Sequence, residues 1–174
     1  MNEGLFHMLN CQMIERLHKK IRERGLSLAP PLVLAEVESF ESFANIRLPS
    51  DYREFLLKVG NGGSGPPEFG LFPLDQTISN ADFVLSPSMP FPFTKAWVWE
   101  EGESSIEGSL DDVHRGVLRL GTDGCGQYWT LVVLGPEHGK IWMQTDVGIQ
   151  PLNPDMSFTQ WYEAWLDGKR DWWG

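Results

Sequence analysis

Residues 48–63 read Leu48-Pro49-Ser50-Asp51-Tyr52-Arg53-Glu54-Phe55-Leu56-Leu57-Lys58-Val59-Gly60-Asn61-Gly62-Gly63, and the character of the chain changes at their end. The proline breaks whatever precedes it, and Ser50 or Asp51 can satisfy the orphan N–H groups of a new helix. Tyr52, Phe55, Leu56 and Val59 recur at helical spacing and supply its buried stripe. Gly60-Asn61-Gly62-Gly63 then stops it, because Gly and Asn tolerate the left-handed conformation that ends helices.

Upstream of this stretch the period is helical. Leu5, Leu9, Met13, Leu17 and Ile21 recur every four residues, with Met8 and Ile14 beside them, so an amphipathic helix is predicted to end near Gly25. Its other face carries Glu15, Arg16, Lys19, Lys20, Arg22, Glu23 and Arg24 and reads as a solvated surface. Pro30-Pro31 precedes Leu32-Val33, Val37, Phe40 and Phe43-Ala44, a second helix with a proline-marked start.

Downstream the period shortens to that of strands. Gly70-Leu71-Phe72-Pro73-Leu74 is a brief extended piece. Residues 83–85 and 91–93 are apolar, but Pro87, Pro90 and Pro92 confine them to an edge or an irregular loop. Trp97-Val98-Trp99 and Val117-Leu118-Arg119-Leu120 read as short strands, the latter closed by Gly121. Residues 127–134 and 140–145 make a hairpin around Gly135-Pro136-Glu137-His138-Gly139, and Ile149 adds a last extended residue. Ser157 with Gln160 has capping-box spacing and opens a helix. Phe158, Trp161, Tyr162 and Trp165 share one face of it, and Gly168 ends it. Helices, then meandering antiparallel strands, then a helix form an α+β pattern.

Of the 174 residues, 24 are Asp or Glu against 14 Lys or Arg, a net charge of −10. That balance argues against a nucleic-acid or anionic-membrane binder. The excess is local: residues 1–60 hold eight basic and eight acidic residues, so all of it lies after residue 60. Glu100, Glu101, Glu103, Glu107, Asp111 and Asp112 fall within thirteen residues that contain no Lys or Arg. On a loop these six carboxylates would steer and bind a cationic protein; a merely solvated insertion is the plainer alternative. All eight Trp also lie in the second part of the chain. Trp161 and Trp165 read as core, whereas Trp172 and Trp173 at the chain end would, if exposed, mark a contact surface or a dimer seam.

Other chemistry is poorly supported. Gly121-Thr122-Asp123-Gly124-Cys125-Gly126 could present Cys125 as a nucleophile, with His138 or His114 as base and Asp123 orienting it. The glycines are better explained by a tight connection between strands. The run from Gly60 to Gly65 follows a helix, the reverse of a phosphate loop, and reads as structural punctuation. His7, His18, His114 and His138 have no metal-ligand spacing, so neither metal nor cofactor is expected. Met1-Asn2-Glu3-Gly4 lacks a basic export region, no apolar run is long enough for a membrane span, and Cys11 and Cys125 form no CxxC pair. A reduced, cytoplasmic setting is the economical expectation.

Three ordered stretches resemble the SUKH superfamily, which includes the fungal cell-wall-assembly and killer-toxin-resistance regulators of the Smi/Knr type. The first runs from Leu48 through Gly60-Asn61-Gly62-Gly63 and Gly65-Pro66 to Gly70-Leu71-Phe72-Pro73-Leu74. The second is Asp123-Gly124-Cys125-Gly126 followed by Trp129, Gly135, Gly139 and Ile141-Trp142. The third is Ser157-Phe158 with Trp161-Tyr162 and Trp165-Leu166. The likeness is strongest over residues 32–168 of what reads as one domain spanning 1–174, and the acidic stretch looks like a variable insertion outside it. The resemblance implies N-terminal helices, a central, mostly antiparallel curved sheet and a C-terminal helix. It also implies a non-catalytic protein-binding module. Bacterial members are similar to immunity proteins that neutralise a cognate toxin, often a nuclease and hence basic. A regulatory scaffold for an endogenous protein or small ligand is the alternative reading, and a thiol-dependent enzyme a third.

Overall fold

Three helices precede a five-stranded antiparallel sheet and a fourth helix follows it, as the α+β pattern implies. The computed structural model describes residues 3–67, 69–79, 81, 83–98 and 110–173. The helices are α1 (Glu3–Glu23), α2 (Leu34–Ala44), α3 (Ser50–Lys58) and α4 (Phe158–Leu166). The strands β1 (Trp97–Val98), β2 (Val117–Gly124), β3 (Gln127–Val132), β4 (Ile141–Gln144) and β5 (Gly148–Pro151) lie in the order β1-β5-β4-β3-β2. Among the described residues no helix is long and apolar enough to cross a membrane.

Alternation along the strands builds two apolar layers. Leu118, Leu120, Trp129, Leu131, Ile141 and Met143 face the four helices. Val117, Val132, Trp142 and Ile149 face the other way and are covered by Phe83, Leu85, Phe91, Phe93, Trp97 and Val113. The proline-interrupted segment from 83 to 93 is therefore neither strand nor helix. It is an irregular cover, held by isolated bridges such as Ser79 with Val84 and by aromatic contacts such as Phe91 edge-on to Trp142 at 5.0 Å. Leu71 pairs with Gly63 as a short extended piece, after which Leu74–Gln76 forms a 3-10 turn.

α3 begins and ends where the sequence places it, but Asp51 does more than serve its own helix. Its Oδ1 accepts the Tyr52 N–H at 2.9 Å, while its Oδ2 accepts both the Thr159 N–H and the Thr159 hydroxyl at 3.0 Å. One carboxylate thus occupies the electropositive starts of two helices. α2 starts at Leu34, three residues after the prolines, and the Glu36 carboxylate accepts the Val33 N–H at 2.8 Å. Glu41, only 4% exposed, accepts the Leu48 N–H at 2.9 Å and lies beside Arg47 and Arg53. Phe43 is 81% exposed, because α2 turns Val37, Glu41 and Ala44 inward.

Two further differences have a clear physical cause. β2 does not close at Gly121 but continues to Gly124, with register shifts between Arg119 and Gly121 and between Thr122 and Gly124. A Cβ on Gly121 would lie 2.5 Å from the Gly70 carbonyl oxygen and 2.5 Å from the Pro67 ring, so the glycine admits a crossing segment rather than ending a strand. Ile149 belongs to a four-residue strand, and the hairpin strands are shorter than their apolar runs. Trp97 and Val98 form a short strand as expected and pair with β5, and Trp99 lies outside the described residues.

α1 buries Ile14, Leu17 and Ile21; the side chains of Leu5, Met8 and Leu9 lie outside the described residues. Its charged face is not simply solvated, because α4 lies across it. Arg16 donates to both oxygens of Glu163 at 3.0 and 3.2 Å, and Lys20 donates to Glu163 at 3.0 Å and to Asp167 at 2.7 Å. Arg24 donates to the Trp165 and Leu166 carbonyls at 3.0 Å, at the C-terminal end of α4 where a cation is favoured. The Arg16 hydrogen bonds, with Lys20 beside them, hold the Glu163 carboxyl below its ordinary range against the opposing effect of burial. Its contribution to stability is thus present above the unfolded-state value of about 4.3 and is lost as pH falls through the lower folded value. Glu163→Gln is expected to reduce stability at neutral pH by about 1 kcal/mol. Urea unfolding across the acid range should show the two proteins converging below about pH 4; a gap that persists there would contradict the pairing.

Candidate functional site

The acidic stretch leaves the sheet at β1 and returns at a 3-10 turn, Leu110–His114. Glu100, Glu101, Glu103 and Glu107 lie outside the described residues. Asp111 is exposed; Asp112 is held by Arg115, whose Nη1 donates to it at 2.7 Å. The stretch is pinned at both ends in the second apolar layer, by Trp97 before it and Val113 after it. In β2, the Arg119 guanidinium is buried against the rings of Tyr128 and Phe83, 3.9 and 4.3 Å from their centroids, and donates to Gln144 Oε1 at 2.9 Å. Burial and the nearby Arg119 charge both hold the His114 imidazole below its ordinary pKa, with Asp111 opposing them.

The thiol candidates are not assembled into a site. Cys125 and Gly126 form a two-residue turn between β2 and β3, with φ of +52° and +76°, the left-handed pair that a type I′ hairpin requires. His114 precedes β2 and Cys125 follows it, so eight extended residues, roughly 25 Å, separate them. His138 sits in the β3–β4 connection, at the opposite end of β3 from the turn. Asp123 accepts the Trp129 indole N–H at 2.7 Å and so orients an indole, not an imidazole. In the glycine run after α3, Asn61, Gly63 and Ser64 give their N–H groups to Ala29, Leu71 and Ser27, so these three hold backbone segments together rather than face an anion. Among the described residues no three His, Cys, Asp or Glu side chains group as a metal site.

What the fold does assemble is an aromatic groove of about 440 Å³. After Gly168 the chain turns back over the sheet, and the Trp172 carbonyl accepts the Asn153 N–H at 3.0 Å. Trp172 is 6% exposed, packed edge-on to Trp129 at 5.6 Å, so it is core rather than the exposed aromatic that its terminal position allowed. Trp173, 39% exposed, lies parallel to Trp129, 8° between planes and 6.3 Å between centroids. Pro66-Pro67, Asp123, Met143, Trp165 and Arg170 complete its lining. Arg170 is tied down: it donates to the Trp165 and Lys169 carbonyls at 3.0 and 2.7 Å, and its guanidinium lies 5.3 Å from the centre of the Trp165 ring. Sequence reasoning isolated the tryptophans but not the groove, because its walls come from four separate parts of the chain. The one available signal was the Trp172-Trp173 pair beyond the last helix.

The turn geometry yields a direct test. Asn tolerates positive φ better than Cys does, and Asn-Gly is a favoured type I′ pair. Cys125→Asn is therefore expected to raise stability in thermal unfolding, by about 0.5–1 kcal/mol, and to leave partner binding intact. Loss of binding in a stably folded variant would return the thiol to consideration.

The comparisons with known proteins bear on the whole arrangement. No curated protein and no solved structure matches the chain significantly. The family model of the SMI1/KNR4 family (SUKH-1) matches residues 31–164, from just before α2 to within α4. That span includes the glycine junction after α3, the five-stranded sheet and the aromatic face of α4, and it stops short of Trp165, Trp172 and Trp173. Order of elements, motif residues and matched length agree: the chain belongs to the SMI1/KNR4 family (SUKH-1).

Proposed function

We propose that this protein is a non-catalytic binding module, one folded unit over 1–174, that neutralises a basic toxin protein in the manner of an immunity protein. Family membership supports a non-enzymatic module of the SUKH type. The observation that carries the reading further is the placement of charge. Arg16 and Lys20 of α1 are engaged by Glu163 and Asp167 of α4, and Arg24 by that helix's last carbonyls. These pairs use two acids of the later chain and leave its densest run, Glu100, Glu101, Glu103, Glu107, Asp111 and Asp112, within thirteen residues that hold no Lys or Arg. A surface of that sign would accelerate encounter with a cationic partner and accept hydrogen bonds from its Lys and Arg. A nuclease toxin has to approach phosphates and so presents that chemistry. Such a toxin acts on intracellular targets, so the module would work in the cytoplasm, with no nucleic acid or membrane contact of its own.

The experiment pairs this chain with the toxin encoded by an adjacent reading frame. Co-expression is expected to relieve the toxin's lethality. Converting the six carboxylates to Gln and Asn should slow association about tenfold or more at low salt while changing dissociation little. An unchanged association rate would remove the acidic run from the interface, and failure to relieve lethality would remove the immunity role.

A further inference from the structure

α2 carries an apolar face that the fold leaves uncovered. Val33 at its start, Leu34 and Phe43 are all exposed, and Phe43 is the most exposed large hydrophobic side chain among the described residues. Toward the core the helix sends Val37, Glu41 and Ala44. Outward, Phe43 and the partly buried Phe40 line a depression of about 530 Å³ together with Ala35, Glu36 and Ser39. All five residues belong to α2, so this depression has no second wall. A small molecule would be gripped from one side only, whereas small-molecule sites bury most of their ligand. What covers it must bring a surface of its own.

A second depression, of about 240 Å³, adjoins the first through Glu36 and Phe40 and completes its lining with Leu32, Asn61, Leu74 and Asp75. Leu32, Phe40 and Leu74 make it apolar, while Glu36 and Asp75 are exposed and add two carboxylates with no cation beside them. One Glu36 oxygen accepts the Val33 N–H, and neither acid has an ion pair among the described residues. The Asn61 side-chain oxygen is already spent on the Leu74 N–H at 2.8 Å. An apolar trough with two exposed carboxylates matches a Lys or Arg side chain, whose methylene stem seeks apolar contact and whose head seeks an anion. No Lys or Arg occurs between residues 26 and 46, so this segment supplies none itself.

The same charges select among occupants. Nucleic acid or an anionic membrane would be repelled, and a twofold dimer would set two acidic patches against each other with no cation between them. A β-strand partner needs free backbone groups, and those of a helix interior are spent on the helix's own hydrogen bonds. A second helix needs only complementary side chains, and the short Ala35 and Ser39 beside Phe43 let its axis approach closely.

We propose that the outer face of α2 docks a basic amphipathic helix of a protein partner, its apolar stripe on Phe43 and one Lys or Arg side chain between Glu36 and Asp75. This rests on the chain being a protein-binding module, but neither on the partner being a toxin nor on the acidic run being its interface.

The test is a fluorescence-anisotropy titration of the full chain with a labelled peptide of Leu and Lys in heptad order. Its control is a peptide of the same composition and charge, scrambled so that no helical face is apolar. Saturable binding of the heptad peptide is expected, with the control weaker by about tenfold or more. Binding should persist in the variant whose six carboxylates from Glu100 to Asp112 are replaced by Gln and Asn. Phe43→Ser, at an exposed residue, should weaken binding about tenfold while leaving thermal unfolding unchanged. Asp75→Asn should weaken it about two- to fivefold at low salt. Absence of saturable binding, equal binding of the two peptides, or an unaltered affinity in Phe43→Ser or Asp75→Asn would overturn the proposal. So would loss of binding in the six-carboxylate variant, since the acidic run would then hold the peptide. A concentration-dependent dimer, seen by sedimentation and abolished by Phe43→Ser, would also overturn it, with a second copy as the occupant. Relief of toxin lethality on co-expression is read independently of each of these outcomes.

Discussion

The close passage of four backbone segments at Gly62 and Gly63 is the constraint on which the rest of the structure depends. Gly63 exchanges hydrogen bonds with Leu71 at 3.0 and 2.7 Å. On its other side the Gly62 carbonyl and the Ser64 N–H pair with Ala29 and Ser27, at 3.0 and 2.8 Å. Phe72 then donates to the Leu120 carbonyl of β2 at 2.7 Å, and the Tyr162 hydroxyl of α4 donates to the Ser64 carbonyl at 2.8 Å. A Cβ on Gly63 would stand 2.6 Å from the Ser27 carbonyl oxygen, and its φ of +111° is a conformation that other residues rarely adopt. The end of α3, the linker before α2 and the segment that leads to β2 are joined here by backbone bonds that a larger residue at Gly63 would not permit, and α4 adds a side-chain bond from Tyr162.

That junction decides where the protein can afford variation. The helical face of the sheet is closed by the aromatic row of α4, in which Phe158, Trp161 and Tyr162 are fully buried; at ~1.5–3 kcal/mol per large apolar side chain this is a major part of the core. The opposite face, among the described residues, is closed by an irregular run rich in proline and phenylalanine and by Val113 of a 3-10 turn. Trp97 and Val113, on either side of the acidic stretch in the sequence, both belong to that layer. At the helical side's margin the terminal tryptophans fold back and form a groove with residues of the loop after α3 and of β2, β3 and β4. Under the proposed function, binding chemistry would be carried by segments added to a fixed frame, a common division between scaffold and recognition loop.

Much of this frame was legible in the sequence, and the parts that were not have physical reasons. α1, α3 and α4 announced themselves because a 3.6-residue period and glycine stops coincide in each. The β3–β4 hairpin was equally clear. The continuation of β2 through Gly121 was hidden, since a glycine that admits a crossing chain looks the same as one that ends a strand. The fate of the basic face of α1 was hidden because Glu163 and Asp167 lie more than a hundred residues away, and no local pattern encodes a tertiary ion pair. The exposure of Phe43 was hidden because its helix buries a carboxylate, Glu41, where an apolar residue would be expected. For function, sequence exposes charge runs well, as in residues 100–112, but not a groove whose lining comes from 66–67, 123–129, 143 and 165–173.

Native-state hydrogen exchange tests most directly the claim that the Gly62–Gly63 junction locks the helical layer to the sheet. The account expects the amides of Gly63, Leu71 and Phe72 to exchange only through global unfolding, with protection equal to that of the core amides of Leu118 and Leu131. Exchange of those three amides through a separate, lower-energy opening, while the sheet stays protected, would contradict it.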